Sequence, residues 1–119
     1  MSDRELLELA AKAAGDFTTA KYYRVADDLP VVFMLNDKPW NPLKDDGDAL
    51  RLAVKLRMDV CIGTPFDIEP GIHAIVFVAD DSSETVDVEV PIGNDPYAAT
   101  RRAIVRAAAE IGKATGEQA

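Results

Sequence analysis

The chain has 119 residues, long enough to close one hydrophobic core and too short for two. A hydrophobic content of 48% argues against a disordered acidic polypeptide. A formal charge of −8 argues against general nucleic-acid binding and against docking on anionic membranes, and it suits a partner that is itself basic.

The start Met1-Ser2-Asp3-Arg4-Glu5 has no basic region leading into an apolar stretch, so no signal peptide is expected and the cytoplasm is the expected location. Ser2 and Glu5 have capping-box spacing. Leu6, Leu9, Ala10 and Ala13, widened by Leu7 and Ala14, then recur at helical spacing, which predicts an amphipathic helix over 3–14. Glu8 and Lys12 are placed for an i,i+4 pair, and Gly15 is placed to end the helix.

Residues 22–35 read as a strand region. Tyr22-Tyr23-Arg24-Val25 is the weaker run and Val31-Val32-Phe33-Met34-Leu35 the stronger, with Asp27-Asp28-Leu29-Pro30 between them. Asn36-Asp37-Lys38-Pro39 reads as a turn. Pro39 and Pro42 hold the Trp-Asn-Pro segment, residues 40–45, in an extended conformation.

A second helix is predicted over 46–58, with Ala49, Leu52, Ala53 and Leu56 on one face, widened by Leu50 and Val54. Three strands follow at 59–62, 72–78 and 85–90. The middle one is almost wholly apolar. The last alternates, with Val86, Val88 and Val90 inward and Thr85, Asp87 and Glu89 outward. Asp95 at the N-cap and Pro96 at the first helical position open a final helix over 96–111, with Tyr97, Ile104, Ala108 and Ile111 on one face. Gly112 or Gly116 is expected to stop it, leaving residues 113–119 as a frayed tail. The fold class expected is α+β: a small, mostly antiparallel sheet of three to five strands with about three helices packed on it, in a single domain spanning 1–119.

Chemistry-bearing residues are sparse. With one cysteine, Cys61, and one histidine, His73, neither an intramolecular disulfide nor a four-Cys zinc site can form. Cys61 lies between Val60 and Ile62, the company of a buried, unreactive core thiol, and His73 reads as structural or superficial. No glycine-rich phosphate loop or nucleophile elbow occurs, and no cofactor is implied. Asp45, Asp46 and Asp48 put three carboxylates within four residues. An EF-hand is absent, because alternate positions before Gly47 are Pro42, Lys44 and Asp46, and the bidentate position falls on Ala53. Helix capping is the preferred role of these acids, with a metal-dependent small-molecule site or enzyme as the alternative.

Trp40 reads as a plug on the side of the core or as an anchor for a partner. Arg101, Arg102, Arg106 and Lys113 give the last helix a basic side, while no lysine or arginine and nine acids lie between Arg57 and Arg101. The strands are thus acidic and the helices basic. Asp80, Asp81, Glu84, Asp87 and Glu89 gather on one expected hairpin, a surface for a cationic protein partner that could also imitate nucleic acid. The candidate partner-binding residues are these five with Trp40, Arg102 and Arg106.

Trp40-Asn41-Pro42 with the acidic helix start after it, the stretch from Leu52 to Val60, and the closing Ala99-Thr100-Arg101-Arg102-Ala103-Ile104-Val105 helix together resemble small bacteriophage and prophage proteins of the NinX-like family, over residues 40–112. That family carries no catalytic residues to transfer. The resemblance implies a protein of phage or mobile-element origin acting inside the bacterial host. The leading expectation is a non-enzymatic accessory protein that binds a host or phage macromolecule, with a homo-oligomeric structural protein as a third possibility.

Overall fold

The computed structural model of the chain describes residues 2–15, 21–23, 32–35, 38–63, 72–79 and 85–117. Its helices are α1 (Asp3–Ala13), α2 (Asp46–Lys55) and α3 (Pro96–Glu117). Its strands are β1 (Lys21–Tyr23), β2 (Val32–Leu35), β3 (Lys38–Pro39), β4 (Asp59–Gly63), β5 (His73–Ala79) and β6 (Thr85–Pro91). Every strand pair among the described residues is antiparallel, which makes the fold α+β. The strands divide into two sheets, ordered β1-β2-β3 and β4-β5-β6. Among the described residues, no helix is long and apolar enough to cross a membrane.

The helix starts follow from local chemistry. Ser2 Oγ accepts the Glu5 amide at 3.2 Å, Asp45 accepts that of Asp48 at 2.8 Å, and Asp95 accepts that of Ala98 at 3.0 Å. Each bond satisfies an amide the first turn would otherwise leave orphaned. Gly15, at φ +82°, follows the Ala14 cap of α1 in the left-handed conformation that glycine adopts without a Cβ clash. Glu8 turns to Tyr22 and Arg4 rather than to Lys12, accepting the phenolic O–H at 2.8 Å and the guanidinium at 3.4 Å. Arg4 also lies 4.1 Å above the Tyr22 ring. Burial, and then the bond to Glu8, raise the Tyr22 phenol above its ordinary value.

Two helix ends differ from the sequence reading. α2 stops at Lys55, three residues before Met58, because Arg57 turns left-handed at φ 56°. The Arg57 amide donates to Val54 O at 3.2 Å and the Met58 amide to Ala53 O at 2.9 Å, a Schellman closure built without glycine. A non-glycine residue there costs about 1–2 kcal/mol, so sequence alone gave no stop signal. α3, in contrast, runs through Gly112 to Glu117. Gly112 is a contact point and not a terminator: a Cβ there would overlap the Leu9 carbonyl oxygen and lie 2.8 Å from its carbon. The missing side chain lets α3 cross α1 backbone against backbone.

The main core fills the space between sheet β4-β5-β6 and the helices. Ala74, Val76, Val78, Val88 and Val90 face Leu6, Ala10, Leu52, Ala103, Ile104 and Val105. The register Val76↔Val88 and Ala74↔Val90 sets the valines of β6 inward and Asp87 and Glu89 outward, as the alternation requires. The smaller sheet closes over α1 through Ala11, Phe33 and Leu35, with Trp40 against both clusters. Lys38-Pro39, read as turn, instead pairs with Leu35 and Met34 as a two-residue edge strand, where proline's missing amide is tolerated.

Candidate functional site

Each carboxylate of the acidic segment after Trp40 bonds another group of the fold. Asp45 caps α2. Asp46 accepts from Arg101 Nη1 at 2.6 Å, reaching from α3. Asp48 accepts the Asn41 amide at 2.9 Å through one oxygen and Arg51 at 2.7 Å through the other. Asp46 thus turns to α3 while Asp45 and Asp48 both approach Arg51 of α2, and among the described residues no three metal-ligating side chains stand together. If capping is the role of Asp45, Asp45→Ala should cost about 0.5–2 kcal/mol of stability in denaturant titration, unchanged by added magnesium or calcium.

Trp40 is half-buried, its ring 5.8 Å from that of Phe33, which in turn meets Tyr22 edge-on at 5.0 Å. It joins the small sheet to the main core. One side of it still borders a shallow cleft with Lys38 and Arg51. Arg102 reaches Asp3 at 3.0 Å across the α1–α3 contact, and Arg106 lies exposed beside Glu110. Asp80, Asp81 and Glu84 lie outside the described residues, so only the Asp87 and Glu89 part of the expected acidic hairpin has a described position.

Cys61 corrects the sequence reading: it is exposed. Apolar neighbours in sequence suggested burial, but β4 is an edge strand, and Cys61 pairs with Ile75 on the face turned away from the helices. Tyr97, Leu50 and Val54, assigned to core stripes, are exposed as well. His73 is buried, opposite Gly63 and Pro91, in accord with a structural role.

Two surfaces meet along β4. On the outer face, cross-strand rows Asp59–Phe77–Asp87 and Cys61–Ile75–Glu89 set carboxylates around Phe77, a residue 39% exposed. None of Asp59, Asp87 and Glu89 has an ion-pair partner among the described residues. On the inner face, α2, β4 and the first turns of α3 enclose an open groove of about 540 Å³, lined by Leu50, Ala53, Val60, Ile62, Tyr97 and Ile104. Leu50 is 64% exposed, Ile62 60% and Tyr97 69%.

Sequence reasoning missed this groove. A signal was present: six of the eight residues from Ala49 to Leu56 are apolar, too many for one buried face. No protein-family model matches the chain, and neither a curated protein nor a solved structure matches it.

Proposed function

We propose that the chain is a non-enzymatic binding protein that engages a cationic macromolecule through the outer face of sheet β4-β5-β6. The observation that carries this reading is the set Asp59, Asp87 and Glu89, without an ion-pair partner among the described residues, around the exposed Phe77, on three strands that contain no lysine or arginine. An arginine seated there gains a carboxylate and an aromatic face together. The cation–π part contributes about 0.5–1 kcal/mol at an exposed site. The likeness to NinX-like phage proteins supports a setting inside a bacterial host, with the chain as an accessory factor.

The test is a pull-down from host lysate, followed by affinity measurement on the recovered basic partner. Binding should weaken about tenfold or more as salt rises from low to physiological levels, because exposed charges are screened over about 8 Å. Asp87→Lys with Glu89→Lys should abolish it without changing the melting temperature, since both side chains are exposed. A double variant that keeps every partner would leave the acids as protection of an edge strand alone, and this reading would be dropped.

A further inference from the structure

We propose that the β4 edge and the apolar groove beside it are the docking site for a second copy of this chain, joined by antiparallel β4–β4 pairing into a six-stranded sheet. This inference goes beyond the acidic-face reading and does not depend on it. Among the described residues the two sheets have four edge strands: β1, β3, β4 and β6. Three carry the usual guards against strand addition. β1 starts with Lys21, β3 is Lys38-Pro39, and β6 bears Asp87, Glu89 and a terminal Pro91. β4, Asp-Val-Cys-Ile-Gly, has no proline or lysine, and its one charge is its first residue. Its side chains from Asp59 to Ile62 are nonetheless all exposed. An unguarded edge bordered by open leucine, isoleucine and tyrosine is what a strand partner requires.

The sequence of β4 points to itself as that partner. A two-fold axis through Cys61 sets Val60 opposite Ile62 of the second copy, Asp59 opposite its Gly63, and Cys61 opposite Cys61. Residues directly opposite in an antiparallel pair share a face. The two Val60–Ile62 pairs therefore fall on the groove side and join both grooves into one apolar surface, with Leu50 and Tyr97 of each copy at its margins. No carboxylate faces another across the pairing. Each copy carries a charge of −8, so the copies repel at long range, and salt should strengthen this contact. Binding of a cationic partner responds to salt with the opposite sign.

Light scattering on the native chain over a concentration series, at low and at physiological salt, should show a monomer–dimer equilibrium that salt shifts toward dimer. Mild oxidation should trap the dimer through Cys61. Antiparallel partners hold their Cα atoms about 4.5–5.5 Å apart, within the span of about 4.4–6.8 Å that a disulfide bridges. Ile62→Lys should weaken the dimer by about 100-fold or more, since each copy loses an apolar anchor and gains a charge at the edge. The monomer's circular dichroism and melting should stay as in the parent. Cys61→Ser should remove the cross-link and keep the equilibrium, and Asp87→Lys with Glu89→Lys should not weaken it. A chain monomeric at every concentration and salt would overturn the proposal. So would a dimer that neither cross-links through Cys61 nor responds to Ile62→Lys.

Discussion

Replacing Gly112 with alanine is expected to destabilise the protein by about 3 kcal/mol or more, despite the better helix propensity of alanine. In an isolated helix the same change would stabilise by about 1 kcal/mol. The sign reverses here because the new Cβ would meet backbone, not a movable side chain: the Leu9 carbonyl of α1 occupies its place. Relief requires α1 and α3 to separate, and these two helices form the most extensive helix–helix contact in the molecule. Ala10, Ala107 and Ala108, all fully buried, would lose packing as they part. Thermal melting checks this directly, with an expected drop of roughly 10 °C or more for a domain of this size. A Gly112→Ala protein that melts at or above the parent temperature would show that α3 does not cross α1 at this residue.

Truncating the three arginines of α3 should give a graded series. Arg101→Ala should cost about 2–3 kcal/mol, Arg102→Ala less than about 1, and Arg106→Ala within about 0.5 of zero. The sequence presents them as one basic side, but the structure gives them different work. The Arg101 side chain is only 16% exposed, donates from Nε to Leu43 O at 2.9 Å, and pairs with Asp46. It ties the start of α3 to the turn before α2, so its loss leaves a part-buried carbonyl without its donor. Arg101→Lys should recover little of this, because a single ammonium cannot serve both acceptors in the fork geometry. The Arg102–Asp3 pair is exposed and should be weakened by salt, and Arg106 is exposed beside Glu110. Denaturant titrations of the three variants at two salt concentrations check both the order and the salt response. Equal losses at all three positions would contradict it.

The features legible in the sequence are those settled within a few residues of chain. Ser2, Asp45 and Asp95 begin helices because each side chain bonds an amide three residues ahead. Val86, Val88 and Val90 share a face because successive strand side chains alternate, and that put Asp87 and Glu89 on the opposite face before any partner strand was known. The stretch from His73 to Ala79 is apolar on both faces, which suits a strand between two others, and it is flanked by β4 and β6. Antiparallel α+β architecture followed from these local facts.

Tertiary structure alone decided what covers what. Cys61 and Tyr97 have the neighbours of buried residues, yet both are exposed, because sheet order leaves β4 at an edge and, among the described residues, none packs over the first turn of α3 on the groove side. Gly112 looks like a terminator, and only the approach of α1 makes it a contact. Arg57 carries no mark of a left-handed turn, which the closure of α2 onto Val54 and Ala53 imposes. Periodicity measures how apolar a face is, whereas burial depends on a neighbouring element distant in sequence. The apolar groove and the unguarded β4 edge belong to that second kind of fact, and so entered view only when α2, β4 and α3 were brought side by side.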